Sequence, residues 1–233
     1  MKLAIRKSHE RGQANHGWLK SQHTFSFADF YDQQFMGFRS MRVINEDHVA
    51  AGKGFGTHPH KNMEIFTYVL DGELQHQDSM GNGRVLLPGQ IQLMSAGSGV
   101  THSEYNPNTE NSAHFLQIWI LPNQQNLSPR YTEWHPQQNQ DSEKKVLVIS
   151  SDGRDHSATI HQDADVYRVI LKAGEGITHQ VSNQRAAWLQ IMQGEVTING
   201  TLLQQGDAAA TEDQGIITIT ASSDCLALLF DLA

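Results

Sequence analysis

Short strand-like runs and tight turns alternate along the chain, and one such unit recurs. "IFTYVLDGELQHQ" reads as strand, turn at Asp71-Gly72, glutamate, strand; "WLQIMQGEVTING" repeats that order around Gln193-Gly194. Each is followed by a second turn, in "LLPGQIQLMSAG" and "LLQQGDAAATED". Glycine supplies the positive φ that a tight reversal between strands needs. A recurring β–turn–β signature points to two related halves, with chance similarity between two short units as the alternative. Other runs are rich in β-branched and aromatic residues: "FRSMRVIN", "GRVLL", "QIQLMSA" and "HFLQIWIL" in the first half, "KVLVISS", "VYRVILKAG" and "CLALLFDLA" in the second. Closely spaced strands of this kind, with almost no helical pattern, predict an all-β sandwich or barrel. "SMGNGR" is a predicted hairpin loop, because Asn and Gly tolerate φ > 0.

Between the halves, Asn123 to Lys145 is polar, amide-rich and contains two prolines, the composition of a connection. The expected organisation is an N-terminal barrel over 1–134, a polar linker over 135–145 and a C-terminal barrel over 146–233. The length of 233 residues suffices for two domains that each bury a core.

Charge and cysteine usage narrow the function classes. The net charge of −8 comes without a long basic run, so direct nucleic-acid binding through phosphate neutralisation is not expected. "MKLAIRKSHERGQ" begins basic but lacks an apolar h-region, and no apolar stretch reaches a membrane span, so neither secretion nor membrane insertion is expected. The single cysteine, Cys225, excludes an intrachain disulfide and agrees with a cytoplasmic location. Its apolar setting, "DCLALLFDL", reads as a small buried hydrophobe.

The residues with metal-binding chemistry cluster in the first half. In a strand, side chains two apart share a face, roughly 6.6 Å apart along the chain. His58 and His60 in "THPH" have that spacing, and two imidazoles so placed can lean onto one ion. One H-x-H alone is equally the pattern of surface or hydrogen-bonded histidines. "VTHSEYN" adds His102 and Glu104, again two apart, after Gly97 and Gly99. Three imidazoles and a carboxylate make a mixed N/O site for Fe, Cu, Ni, Mn or Zn, with coordination positions left open. Glu64, four residues after His60, lies about 13 Å from it along a straight strand, and a bend at Lys61-Asn62 could shorten that distance.

These residues also carry a resemblance. Gly52, His58, His60 and Glu64 resemble the first motif of the cupin superfamily, and Gly99, His102 and Asn106 part of the second. Gly72 comes one residue late, and Gly97 replaces an expected proline. "GFGTHPHKNMEIFTYVLDGELQHQDSMGN", "MSAGSGVTHSEYN" and "LQIWI", with "HTFSFADFYD" and "RVINED" before them, are similar to the pirin family, in particular to its bacterial members with quercetin 2,3-dioxygenase activity. The resemblance covers most of residues 10–121; across 146–233 it rests on architecture and the glycine turns. It implies a bicupin, two jelly-roll-like β-barrels with metal in the N-terminal one alone. It further implies His58, His60, His102 and Glu104 as ligands of one divalent transition-metal ion, with Glu64 outside the ligand set.

The activity so implied is cleavage of the heterocyclic ring of flavonols such as quercetin with O2 and release of CO. Glu104 is then the expected base for the 3-hydroxyl proton. The rival expectation is a non-enzymatic metal-binding or redox-sensing regulator that contacts a protein partner, since a fold does not fix a function. A dioxygenase or isomerase with a different natural substrate is a third. His76 is expected either beside the pocket or ligands, or as a solvated strand residue. His161 and His179 are expected to be ordinary polar residues, and Trp18, Phe25, Phe27 and Phe30 to be packing aromatics.

Overall fold

The protein is described here from a computed structural model covering residues 1–137, 140 and 143–233. Its strands are β1 (Ala4–Arg6), β2 (Gly12–Asn15), β3 (Leu19–His23), β4 (Met41–Val49), β5 (Gly54–His60), β6 (Glu64–Asp71), β7 (Leu74–Asp78), β8 (Gly83–Leu86), β9 (Ile91–Ser95), β10 (Val100–Tyr105), β11 (Ala113–Ile120) and β12 (Arg130–Trp134). They continue as β13 (Lys145–Ser150), β14 (Ala158–Thr159), β15 (Ala164–Leu171), β16 (Gly176–Val181), β17 (Ala186–Gln193), β18 (Glu195–Ile198), β19 (Thr201–Gln204), β20 (Ala208–Thr211), β21 (Gly215–Ala221) and β22 (Cys225–Leu232). Helix is confined to two three-residue 3-10 turns among the described residues. None is long and apolar enough to cross a membrane.

Contacts divide the chain into two compact units, one of Gly12–Pro136 with Ala158–Gln162, the other of Met1–Arg11, Gln137–Ser157 and Asp163–Ala233. The first, called the N-terminal unit below, has one sheet in the order β12-β9-β6-β11-β4-β3-β2 and a second in the order β5-β10-β7-β8. In the C-terminal unit the order is β1-β20-β17-β22-β15-β13 in one sheet and β16-β21-β18-β19 in the other. The run β12-β9-β6-β11-β4-β3 matches β1-β20-β17-β22-β15-β13 strand for strand, and the smaller sheets match throughout, which raises the short β–turn–β recurrence to a shared architecture. Gly72 and Gly194 occupy the equivalent reversals at φ 75 and 78. A Cβ at either would lie 2.6 Å from the Ser112 carbonyl oxygen or 2.1 Å from that of Asp224, so only glycine fits.

Alternation along the strands sorts residues between core and surface. In β21, Ile217, Ile219 and Ala221 point inward and Ile216, Thr218 and Thr220 outward. The N-terminal core joins Leu19, Val49, Val69, Ala113 and Phe115 of the larger sheet to Leu74 and Leu86 of the smaller. The hydrophobic cluster of the C-terminal core runs from Val169 and Leu189 to Ile217 and Leu229 and takes in Cys225. Burial raises the Cys225 thiol to about 11, which keeps it an inert hydrophobe.

The all-β, two-domain jelly-roll-like fold is as expected; among the described residues each unit has two separate sheets, with no closed barrel. Two details of the organisation differ from expectation. The stretch from Asn123 to Lys145 contains strand β12, which pairs with β9 from Arg130 opposite Ser95 to Trp134 opposite Ile91. Its single buried anchor, Trp134, sits among polar residues that hide the strand in the sequence. Residues 1–11, placed with the N-terminal half by chain position, belong to the other unit, because β1 pairs with β20. Positions 138, 139, 141 and 142 of the expected linker lie outside the described residues. "SMGNGR" does form the reversal between β7 and β8, with Gly81 at φ 93 and the Asn82 carbonyl accepting from the Asp78 N–H.

Candidate metal centre

The four expected ligands sit on neighbouring strands of the smaller N-terminal sheet. β5 and β10 pair antiparallel, with His58 opposite His102 and His60 opposite Val100. Beyond His102 the register shifts: Phe55 faces Glu104, so three residues of β5 span two of β10. This bulge lets Phe55 and His58, of opposite parity in a straight strand, share one face. The imidazoles of His58, His60 and His102 lie with ring centroids 4.5–4.9 Å apart.

Hydrogen bonds settle where the ring protons are. His58 Nδ1 lies 2.8 Å from the Gly56 carbonyl, which can only accept, so Nδ1 carries the proton and Nε2 the lone pair. His76 Nε2 donates in the same way to Asp78 Oδ2 at 3.2 Å, leaving His76 Nδ1 as the acceptor facing His102 Nδ1 at 3.5 Å. His102 therefore donates through Nδ1 and keeps a lone pair on Nε2. The Nε2 atoms of His58 and His102 face each other at 3.1 Å. Two opposed lone pairs at that distance repel unless a cation lies between them. Two nitrogens bound to one ion at about 2.0–2.1 Å at a right angle are roughly 3 Å apart, so the residues present fit a metal. Burial, reinforced by neighbouring imidazoles, lowers His60 to about 4 and His102 to about 3, so both rings are neutral and able to ligate.

His76 is fully buried and edges His102, with 5.2 Å between ring centroids. Its partner Asp78 belongs to the β7–β8 reversal, where Met80 N–H, Asn82 N–H and Asn82 Nδ2 hold the carboxylate. Burial works to raise the Asp78 carboxyl, but these bonds outweigh it and hold it below its ordinary value. The turn thus fixes Asp78, Asp78 fixes the His76 tautomer, and His76 orients His102.

Glu104 lies deeper. One of its oxygens comes within 4.8 Å of donor atoms of His76 and His102, while His58, His60 and His102 form a separate triple of the same spread. Oε1 accepts from Thr67 Oγ1 at 3.3 Å and Gln92 Nε2 at 3.1 Å, and Oε2 from Gln117 Nε2 at 2.6 Å. Burial raises its pKa to about 7, against the lowering pull of Gln117 and Thr67. The three donors belong to one cross-strand row of the larger sheet, His23–Asn45–Gln117–Thr67–Gln92, built from five neighbouring strands. Sequence reasoning missed this row. For two of its members the signal is a lone polar residue inside an apolar run, Gln117 in "HFLQIWIL" and Thr67 in "IFTYVL".

Other expected residues resolve simply. The Glu64 carboxylate accepts from Ser95 Oγ at 2.8 Å and from the His161 N–H at 3.1 Å, and joins no ligand group among the described residues. His179 bonds Asp231 at 2.9 Å. Phe25 is core and Trp18 packs edge-on to Phe55, whereas Phe27 and Phe30 line a cavity.

Residues 4–120 match the pirin family model, and residues 147–232 match that of the quercetinase C-terminal cupin domain. The chain is 51% identical to quercetin 2,3-dioxygenase of Escherichia coli K12, covering 99% of this chain and 98% of that protein. It is 42% identical to a pirin-like protein of Caulobacter vibrioides, over 95% and 96% of the two chains. The crystal structure of bacterial pirin YhhW from Escherichia coli in complex with nickel(II) superposes with a TM-score of 0.95 at 49% identity, covering 99% of each chain.

Proposed function

The chain belongs to the pirin family, and on that premise we propose that it is a metal-dependent dioxygenase that opens the heterocyclic ring of flavonols such as quercetin with O2 and releases carbon monoxide. The observation that carries this reading is the pair of opposed Nε2 lone pairs on His58 and His102, 3.1 Å apart, beside a buried carboxylate. We assign His58, His60, His102 and Glu104 as ligands of one divalent ion. A transition metal held there supplies a Lewis acid for the flavonol 3-oxygen.

The chain's own groups do the rest. The buried Glu104 carboxylate, beside the position the metal would take, is placed to receive the 3-hydroxyl proton. Thr67, Gln92 and Gln117 hold both of its oxygens and restrict its rotation. Burial of Glu104 and His102 excludes bulk water from the reacting atoms. The C-terminal domain is assigned a structural role, supported by its apolar interior.

The donor set accommodates Fe, Cu, Ni, Mn or Zn. Elemental analysis of the isolated protein, paired with oxygen uptake and CO release on quercetin under each metal, tests the proposal. About one metal per chain with stoichiometric loss of quercetin and O2 is the expected result. Metal-loaded protein that consumes neither would overturn it.

A further inference from the structure

The polar row that holds Glu104 runs on into a cavity of about 430 Å³ in the N-terminal unit, within the range of small-molecule sites. Its polar lining includes Asn45, Asp47 and Gln117, with His23 and Ser21 beside them, and Phe27, Phe30 and Phe55 supply its aromatic lining. His23 pairs with Asn45 across β3 and β4, and Ser21 with Asp47, so four polar side chains form a two-by-two patch. Asn45 and His23 are 3% and 5% exposed, yet Asn45 Oδ1 and His23 Nδ1 have no hydrogen-bond partner. Buried polar atoms are nearly always paired, so orphans on residues that line a cavity mark a place for a ligand's polar groups.

The aromatic side is pre-placed. Phe27 and Phe30 exchange both backbone hydrogen bonds across a two-residue reversal whose Ala28 adopts φ 50, a conformation L residues rarely take. Phe30 seats against Gly12, where a Cβ would come within 2.2 Å of the ring. The cavity also adjoins the metal centre: Gln117 bonds Glu104, and Phe27 meets Trp119 edge-on, which in turn meets His60 edge-on.

We propose that this cavity binds a hydroxylated aromatic ring, with Asn45 Oδ1 and the Asp47 carboxylate accepting its phenolic O–H groups and the phenylalanines flanking the ring. Asp47 and Asp29 at the lining favour a ligand that brings O–H donors and repel carboxylates. The inference rests on the flavonol reading and deepens it: the ring held here is the phenyl substituent at C2, while the 3-hydroxyl faces Glu104. Asn45 and Asp47 then set the preference among flavonols.

Quercetin, kaempferol and galangin carry two, one and no hydroxyls on that ring. With the metal-loaded enzyme, KM is expected to rise about tenfold from quercetin to galangin at a kcat constant within about threefold. Asn45→Leu, which removes an orphaned polar atom and so leaves the fold intact, should narrow that range to about twofold by weakening quercetin alone. Equal losses on all three flavonols, or a wild type indifferent to hydroxyl number, would overturn the assignment. If no flavonol is consumed, the dioxygenase reading fails, and catechol binding to the full-length metal-loaded protein still decides the cavity. At unchanged metal content, Asn45→Leu and Asp47→Leu should each weaken catechol about fivefold or more. Equal catechol affinity in wild type and variants refutes the site.

Discussion

The two halves share a strand order and differ in what fills it. Counting from the equivalent glycines, Thr67 and Leu189 both stand five residues before the reversal. From them the pairing registers align His23–Asn45–Gln117–Thr67–Gln92 of the N-terminal unit with Leu147–Tyr167–Leu229–Leu189–Ala209 of the C-terminal one. In the smaller sheets, His58 opposite His102 corresponds to His179 opposite Ile217, and Glu104 opposite His76 to Ile219 opposite Ile198. One imidazole survives at these positions, His179, and Asp231 engages it. A sandwich of this order tolerates either lining, but a polar one is stable only when its members bond one another or a ligand. The N-terminal unit carries that cost around Glu104; the C-terminal unit has exchanged it for apolar packing.

Converting one lining into the other tests the comparison. His102→Ile, which installs the C-terminal counterpart, should abolish metal retention and bring turnover to background, as elemental analysis and oxygen uptake would record. A variant that keeps its metal breaks the correspondence. Glu104→Gln retains the size and shape of the side chain and removes the base. It should lower kcat by about 10²–10⁴ with a much smaller change in KM. Glu64→Gln is expected to leave metal content unchanged.

His76→Leu keeps every proposed ligand and removes the group that orients His102. Metal affinity should fall by about 10–100-fold in chelator competition, the scale for partners that hold a ligand in place. In the other direction, Leu229→Gln puts the N-terminal polarity into an apolar core without a partner. It should destabilise by about 3–5 kcal/mol in urea unfolding, from lost burial plus an unpaired amide.

The smallest expected effect concerns Asp47, whose carboxyl burial and the charge of Glu46 raise to about 6. The folded state then holds this proton more tightly than the unfolded chain, so its contribution is present in full below about pH 4 and is lost as pH rises through 6. Asp47→Asn removes that dependence. Its stability relative to wild type should climb between pH 4 and 6, by at most about 3 kcal/mol, and then level off. A constant difference across that window would show the carboxyl to be unperturbed.

The chain order of residues determined a good deal by itself. Alternating short strands and glycine reversals specify two all-β units, because side-chain period and positive φ are local properties. His58, His60, His102 and Glu104 were legible as pairs, since two-residue spacing already puts partners on one face. Only the tertiary structure decided what register and pairing decide. It showed that the sheets stay open, that β12 hides in an amide-rich stretch and that β1 crosses to the other unit. It also showed that a bulge sets Phe55 beside His58, and that five strands align one polar row behind Glu104. Cross-strand neighbours are tens of residues apart in the chain, and a shift of one residue turns a side chain from core to surface. No local pattern records that choice.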